Sequence, residues 1–489
     1  MSILDFFGRV KHENEIEAYV AEGNTNIATD LDVLGKQVKD FLSSERREWM
    51  IRGEKYYEGD QDILYYERTI IGEGGNCTTV DNLPNNKIVD NYYSRLVDQK
   101  VNYQLGKPFV IETENEAYEL ALKSVFNKRF NRTLRNIGYD ILNSGIAWLY
   151  PYIDNNEIKF RRFPSYEILP FWSDIEKTEL QAAARIYKEV SFEGNKEVTV
   201  EKVDYLTKDG VTHYVFRDNV LIEDVERVPT AYISMVGLDG EVQYYNWGRV
   251  PLIPFKFNTK ELPLIKRVKS LQDGVNTLTS MFINNMQEDA RNTILVIKNY
   301  GGQNLGEFRQ NLAKYGAVKV EGDGGVDTLN VEVNSANYEA ILRILKNAII
   351  ANGRGYDSKD DRLNNSPNQL NIQSLYSDIE LDANGLEVEL QAAFEDVLYF
   401  VDTYLTNTGQ GNFEGEEVEI TFNRDMLINE KDIIDNLVAS NFISNETKIA
   451  LHPYINDVER ELERIANERN ALNAEFNTFS NAFDNGGVN

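Results

Sequence analysis

Residues 264–291 read LIKRVKSLQDGVNTLTSMFINNMQEDAR, and this segment constrains the architecture more than any other. Its apolar residues recur at spacings of four, three, four, three and four: Leu264, Val268, Leu271, Val275, Leu278 and Phe282. The spacing predicts one helix with a heptad-like apolar seam, ~42 Å long at ~1.5 Å per residue. Such a seam suits either an ordinary core face or a contact between subunits, and the spacing alone leaves both open.

Two more helices are predicted downstream. The first covers Ala336–Asn352, because Ser335 is a favourable N-cap and Gly353 stands just past the last apolar residue of the pattern. The second covers Asn371–Leu405. Gly385 lies inside it and is a candidate kink, since glycine costs about 1 kcal/mol in a helix interior.

A small module and a polar loop separate these helices. The module covers residues 292–334, and short strands are predicted in it at Ile294–Ile297 and Ala317–Val320. The polar loop covers residues 353–369. The order is therefore long helix, small module, helix, loop and long helix.

The part of the chain before residue 264 combines helices with a β-rich segment. Helical periodicity runs from Leu34 towards Tyr57, and a second helix is predicted over Ile88–Leu105. From Ile158 to Phe257 the pattern alternates as in strands, with hairpin signals at Asp209-Gly210 and Asp239-Gly240. The predicted fold class is α+β, predominantly helical.

Composition and charge narrow the function. The 489 residues include 79 acidic and 51 basic side chains, a net charge of −28. Residues 370–489 hold 24 acidic and 6 basic residues, which accounts for −18 of that total, whereas 291–334 and 353–369 are neutral. The single cysteine, Cys77, excludes an internal disulfide framework. No segment approaches the ~18–20 consecutive apolar residues of a membrane helix, and the charged N-terminus is unlike a secretory signal.

Enzyme signatures are weak. The histidines His12, His213 and His452 are far apart without metal-ligand spacing. The glycine-rich stretch at 72–75 precedes no Lys-Ser or Lys-Thr pair, so it does not predict a phosphate-binding loop. We therefore predict that the chain is not an enzyme and has no catalytic residue, metal or cofactor.

Several short blocks, in order along residues 45–465, resemble one protein family. They are Tyr56–Ile63, Asn85–Asn91, Leu96–Tyr103, Leu105–Pro108, Gly145–Trp148, Pro164–Pro170, Arg249–Phe255 and Ile443–Thr447. The chain resembles the portal proteins of long-tailed phages that infect Gram-positive bacteria, the head-tail connectors through which DNA enters and leaves the capsid. Each block alone is a weak motif, and the resemblance rests on their order and spacing.

The resemblance implies a portal architecture. It assigns a wing to residues 1–261, whose β-rich part is 155–260, and stem helices to 262–291 and 335–352. A small α/β clip covers 292–334, and a tunnel loop covers 353–369. A long kinked helix and a return strand of the wing occupy 370–428, a helical crown occupies 429–470, and a disordered tail occupies 471–489.

The resemblance also implies which residues act. In the tunnel loop, Arg354, Lys359 and Arg362 are candidates for contact with DNA, although they could instead pair with the loop carboxylates Asp357, Asp360 and Asp361 in solvent. Lys266, Arg267 and Lys269 are weaker candidates. The basic residues of the clip would contact the packaging motor or the tail adaptor: Lys298, Arg309, Lys314 and Lys319.

The implied assembly is a homo-oligomeric ring of twelve copies at one capsid vertex of the virion, built in the host cytoplasm. Its implied partners are double-stranded DNA, the terminase large subunit, a head-tail adaptor, and the major capsid and scaffolding proteins, with no membrane. A channel that is neutral or acidic, with a few basic side chains repeated around the ring, would confine DNA without holding it. The alternatives are a virion or scaffold protein without a channel, or an enzyme that processes nucleic acid.

Overall fold

The structure is a computed structural model. It describes residues 31–71, 76–79, 83–193, 196–236, 241–289, 293–298, 323, 325–330, 335–357, 369–424, 430–455, 458 and 460–470. The described residues of Met1–Gly355 and Leu381–Arg424 form one compact unit, and those of Tyr356–Glu380 and Asp425–Asn489 form a second.

Helix is more frequent than strand among the described residues, which confirms the predicted fold class. The α-helices are α1 Leu31–Leu42, α2 Glu45–Glu58, α3 Tyr92–Leu105, α4 Glu116–Val125, α5 Lys128–Ser144, α6 Ile265–Asp289, α7 Ser335–Gly353, α8 Gln369–Asn407, α9 Glu430–Ala439 and α10 Asn445–Ala450. The three helices predicted from residue 264 onward are confirmed as α6, α7 and α8, and α8 is continuous through Gly385.

The strands form small antiparallel sheets. They are β1 Thr69–Ile71, β2 Cys77–Thr79, β3 Val110–Glu112, β4 Ile146–Asp154, β5 Glu157–Phe163, β6 Ile168–Trp172, β7 Leu180–Glu193, β8 Lys196–Thr207, β9 Gly210–Arg217, β10 Val220–Glu223, β11 Ile233–Val236, β12 Val242–Tyr245, β13 Ile253–Lys256, β14 Thr293–Lys298, β15 Gly325–Asn330 and β16 Glu419–Thr421. A five-stranded sheet has the order β10-β9-β8-β7-β6, and a three-stranded sheet has the order β13-β4-β5.

The β-rich segment follows the sequence prediction. The hairpin signal at Asp209-Gly210 is confirmed, because β8 and β9 pair in antiparallel register from Thr207 opposite Gly210. Asp239-Gly240 lies outside the described residues. Helix α1 covers one face of the five-stranded sheet by burying Leu34, Val38 and Phe41 against it.

In the 292–334 module, the strand predicted at Ile294–Ile297 is confirmed as part of β14, which pairs with β15. The strand predicted at Ala317–Val320 lies outside the described residues.

The main core of the first unit gathers α3, α5, α6 and α8 around the three-stranded sheet. Phe394 of α8 is central to it, with its ring 5.0 Å from Phe109, 6.0 Å from Phe130 and 5.8 Å from Phe422. These separations are typical of edge-to-face aromatic pairs. The core therefore fixes the C-terminal part of α8 against the elements that surround the candidate site.

The apolar seam of α6 is a core face in its first part. Leu264, Val268 and Val275 are buried in the main core. Further along, α6 packs against α7, since the ring centroids of Phe282 and Tyr338 are 5.1 Å apart. Of the two uses that the spacing left open, these contacts show core packing within the chain.

Helix α6 also carries a polar ladder, defined as Gln272, Asn276, Ser280 and Asn284, all of which are buried. Each side chain accepts a backbone N–H from residues 86–93, which lead into α3 and form its first two positions. Asn284 accepts from Asn86 (2.7 Å), Ser280 from Ile88 (3.0 Å), Asn276 from Asp90 (3.0 Å), and Gln272 from Tyr92 and Tyr93 (3.0 and 3.1 Å).

The ladder works because two periodicities match. Four helical residues advance about 6.0 Å, and two residues of an extended chain advance about 6.6 Å. The ladder therefore gives alternate residues from 86 to 92 a hydrogen-bond acceptor, as a neighbouring strand would. Because this segment is extended, α3 begins at Tyr92 rather than at the predicted Ile88, and Asn91 caps it by accepting from Ser94 N–H at 3.0 Å.

The described residues of the second unit are mainly helical. Helix α10 has Ser444 as its N-cap, whose hydroxyl accepts from Thr447 N–H. Residues 460–470 are also helical. The rings of Tyr356 and Tyr376 lie 4.7 Å apart.

Candidate functional site at the start of the 353–369 loop

The loop begins at the C-terminus of α7, where the chain makes a tight turn. Gly355 N–H donates to the carbonyl of Ile350 at 2.9 Å, and Arg354 N–H donates to that of Ala351 at 3.2 Å. Arg354 has φ +50°, in the left-handed region that usually holds glycine at this position. A non-glycine residue there costs of order 1–3 kcal/mol and persists only where its surroundings enforce it.

Helix α3 leaves little room beside this turn. A Cβ on Gly353 would lie 2.4 Å from Leu96 Cδ1, and one on Gly355 would lie 2.4 Å from Leu96 Cδ2. A side chain at either position would therefore displace Leu96, which shows that the turn lies close against α3.

An ion cluster fixes Arg354. We define the Asp382 cluster as Asp382, Lys100, Arg267 and Arg354. The Asp382 carboxylate accepts from Lys100 Nζ at 2.8 Å, Arg267 Nη1 at 2.6 Å and Arg354 Nη1 at 2.8 Å. Lys100 Nζ also donates to the backbone carbonyl of Arg354 at 2.9 Å. Four elements of the first unit thus meet at one carboxylate: α3, α6, α8 and the turn after α7.

Burial and the neighbouring charges together shift the pKa values of Asp382 and Lys100. Burial alone would raise the pKa of Asp382, but Lys100 and Arg267 stabilise the carboxylate and hold its pKa below the ordinary value. Burial lowers the pKa of Lys100 to about 8, against the attraction of Asp382 and aided by the two nearby arginines. The four groups contain three cations and one anion.

Of the six loop residues predicted from the sequence, the structure describes Arg354 and Asp357. Arg354 joins the Asp382 cluster, whereas Asp357 belongs to the second compact unit. Lys359, Asp360, Asp361 and Arg362 lie outside the described residues. Contact of this loop with DNA stays a prediction.

Among the clip candidates, Lys298 is the last residue of β14, opposite Gly325. Arg309, Lys314 and Lys319 lie outside the described residues. Their contact with other proteins likewise stays a prediction.

The three basic residues at the start of α6 have separate partners. Arg267 enters the Asp382 cluster and its guanidinium lies 5.1 Å from the centroid of the Phe257 ring. Lys269 donates to Asp273 at 2.7 Å, and Lys266 lies 5.2 Å from the Trp49 ring centroid.

Lys100 and Asp382 are not among the site residues predicted from the sequence. A signal for both was present, because each interrupts an apolar helix face: Lys100 lies beside Val97 and Val101, and Asp382 beside Ile379. A charged residue at a core position predicts a buried ion pair, since an unpaired buried charge is too costly. The sequence did not show which partner each would find.

A second polar feature is a cleft of about 360 Å³, here called the Glu54 cleft. Burial and the nearby Asp140 raise the pKa of Glu54 to about 7. Burial also raises the pKa of Asp140 to about 6, although Arg162 pairs with it. The cleft is lined by Glu54, Tyr57, Glu58, Tyr139, Asp140, Asn143, Arg162, Phe163, Pro164 and Tyr166.

Metal-binding and membrane-spanning features are absent from the described part of the chain. No group of three His, Cys, Asp or Glu side chains there is placed to hold a metal ion. His213 Nδ1 lies 2.6 Å from Asp204, and His12 is not among the described residues. None of the described helices is both long and apolar enough to cross a membrane.

Known proteins match the chain along most of its length. It is 28% identical over 467 residues to the portal protein of Bacillus phage SPP1, covering 94% of this chain and 90% of that protein. It is 24% identical over 464 residues to the portal protein of Clostridium phage phiCD119, covering 90% of this chain and 97% of that protein.

Among solved structures, a chain from the neck of an empty GTA particle, computed with C6 symmetry, aligns with a TM-score of 0.42. Its identity is 11%, and the alignment covers 73% of this chain and 88% of that chain. The sequence profile of the family described as phage portal protein, SPP1 Gp6-like, matches residues 43–474. The chain therefore belongs to the SPP1 Gp6-like family of phage portal proteins, which are structural components of the virion.

Proposed function

We propose that this chain forms a ring-shaped channel at one vertex of a phage capsid, through which double-stranded DNA is packaged, retained and ejected. The family match over residues 43–474 carries the proposal, because one alignment includes all the residues assigned to the stem, clip, loop and crown. The proposed ring is a dodecamer that assembles with the major capsid and scaffolding proteins. The motor is a separate protein, so the channel itself is passive.

The loop 353–369 would line the channel. Arg354, Lys359 and Arg362 would make weak contacts with the phosphate backbone, and the ring would repeat each of them as a belt of charge. The neutral balance of this loop supports the proposal, since a strongly basic loop would hold DNA rather than let it slide.

The clip would dock other proteins. The antiparallel β14–β15 pair would belong to it, and Lys298, Arg309, Lys314 and Lys319 would contact the terminase large subunit and later the head-tail adaptor. The two stem helices α6 and α7 would connect this module to the rest of the subunit.

Negative-stain imaging of the purified full-length chain tests the proposal. We expect turbine-shaped rings with a central hole, and no ATPase or nuclease activity with or without added Mg²⁺. Monomers or filaments would refute the channel and favour a scaffold protein. Metal-dependent cleavage of DNA would favour the enzyme alternative.

The loop assignment needs its own experiment. Reversing Arg354, Lys359 and Arg362 together to glutamate should impair DNA packaging or retention while rings still assemble. Because Arg354 also pairs with Asp382, the double variant Lys359→Glu/Arg362→Glu isolates the loop charge from the fold. Lys188→Glu/Lys208→Glu, which reverses two exposed lysines of the β-rich segment, is the matched control. Unchanged packaging in the double variant would remove those two residues from the DNA path.

A further inference from the structure

The Asp382 cluster holds more cations than its carboxylate requires. A buried ion pair usually has one cation per carboxylate, and removing either partner leaves an uncompensated charge that costs about 3–5 kcal/mol. Here three cations contact one carboxylate. If one cation moved away, Asp382 would still have two, so one of the three is available for another anion.

Exposure indicates which cation that is. The side chain of Lys100 is 3% exposed, that of Arg267 is 32% exposed, and that of Arg354 is 47% exposed. Arg267 is further restrained by its position over the Phe257 ring. Arg354 is therefore the cation that can leave Asp382 at the lowest cost.

The backbone of Arg354 is held independently of its guanidinium. Lys100 Nζ binds its carbonyl, and its N–H bonds to Ala351 at the end of α7. The base of the side chain thus stays in place when the guanidinium moves. This arrangement gives an arm with a fixed base and a guanidinium that can exchange partners.

We propose that Arg354 is a releasable phosphate-binding arm, whose guanidinium alternates between Asp382 and a phosphate group of DNA in the channel. Lys100 and Arg267 keep Asp382 neutralised while the arm is away. A guanidinium suits both partners, since carboxylate and phosphate each accept its paired N–H groups. The inference rests on the proposed function, and it adds Asp382 as a positioning residue that limits how tightly the channel binds DNA.

The experiment measures binding of a linear duplex to purified full-length rings between 50 and 200 mM NaCl. Asp382→Asn keeps the shape of the side chain but removes its charge, so Arg354 loses its ion pair and is more available to DNA. We expect the affinity for the duplex to rise about two- to fivefold for each Arg354 that contacts a phosphate. This range corresponds to the free energy of a partly exposed ion pair. Arg354→Gln should make the slope of log affinity against log salt shallower by about 0.9 for each phosphate that the arm no longer neutralises.

The double variant Asp382→Asn/Arg354→Gln decides between the arm and a merely structural role. If Asp382 acts through Arg354, the double variant binds like Arg354→Gln alone. If Asp382 only supports the fold, Asp382→Asn lowers affinity whether or not Arg354 is present, which overturns the inference. Arg424→Gln is the control. It removes an ion pair with Glu387, which lies on the same helix as Asp382, and it should leave the salt slope unchanged.

The arm can still be tested if one variant fails to assemble. If Asp382→Asn yields no rings, Arg354→Lys and Arg354→Gln still test it, because lysine preserves the charge and should retain the wild-type slope. Equal slopes for wild type and Arg354→Gln would overturn the arm while leaving the channel intact. Wild-type rings that bind no duplex at all would also overturn the arm, whereas preparations that form no rings in negative stain would refute the proposed function.

Discussion

Replacing Gln272 with leucine should destabilise the first unit through the start of α3. Gln272 is fully buried, and its Oε1 accepts the N–H groups of Tyr92 and Tyr93, the first two of α3. These N–H groups have no partner inside the helix. Its Nε2 donates to the carbonyl of Asp90 at 2.7 Å. Gln272 thus completes the helix cap that Asn91 begins.

The magnitude follows from the groups left unpaired. Losing a helix cap costs about 0.5–2 kcal/mol, and a buried backbone group without a partner costs about 1–3 kcal/mol. Tyr92 N–H keeps a second acceptor, the carbonyl of Asp90, so the cost at Tyr92 is only partial. Leucine fills nearly the same volume and adds no cavity. We therefore expect the free energy of unfolding to fall by about 2–4 kcal/mol.

The assay combines urea unfolding with hydrogen exchange read by mass spectrometry. Exchange of the peptide covering residues 84–95 should accelerate tenfold or more, since 1.4 kcal/mol is a factor of ten. Thr279→Ala, a polar residue of the same helix outside the ladder, is the control. Unchanged protection of this peptide in Gln272→Leu, or an equal effect of Thr279→Ala, would refute the capping argument.

Three further outcomes are expected. Burial raises the pKa of Glu54 from 4.5 to about 7, so folding disfavours its charged form, and the stability it contributes falls as pH rises from about 4.5 to 7. Glu54→Gln should therefore stabilise the protein by about 1–3 kcal/mol at pH 8 and barely at pH 4.5, by urea unfolding at both. Gly53→Ala places a Cβ 1.9 Å from a backbone oxygen of α5 and should cost about 1–3 kcal/mol, whereas Gly385→Ala meets no atom within 4 Å and should stabilise α8 by about 0.5–1 kcal/mol. Thermal unfolding of the two variants in parallel measures both changes in stability. A stabilised Gly53→Ala or a destabilised Gly385→Ala would contradict the packing described around these glycines. In a double-mutant cycle, the stability changes of Gln272→Leu and Asp382→Asn should be non-additive by more than about 0.5 kcal/mol. Additive changes would show that the ladder and the Asp382 cluster stabilise the fold independently.

The sequence predicted the long elements better than the contacts between them. The apolar spacing from Leu264 was sufficient for α6, because a helix of that length has one face that must be buried. The start of α3 was predicted too early, at Ile88. The apolar residues of 85–91 are compatible with a helix, and only the ladder on α6 selects the extended conformation.

The ladder was visible in the sequence but was not interpretable there. Polar residues at spacings of four usually form a solvated helix face. Gln272, Asn276, Ser280 and Asn284 are buried because another segment, about 190 residues away in sequence, needs hydrogen-bond partners. Sequence periodicity contains no information about that segment. Likewise, Arg354 was selected for its charge, whereas its ion pair with Asp382 depends on packing.

The ladder and the Asp382 cluster belong to one framework. Gln272 fixes the first turn of α3, and Lys100 lies eight residues later on that helix, about 12 Å along its axis. Helix α6 also carries Arg267, five residues before Gln272. Because α3 and α6 carry Lys100 and Arg267, we expect a loss of the ladder to affect how well these two cations reach the carboxylate. The proposed arm depends on those two cations, since they are the ones that stay at Asp382 when Arg354 leaves. If Arg354 is the releasable arm proposed above, the ladder therefore contributes to the framework that lets it leave Asp382.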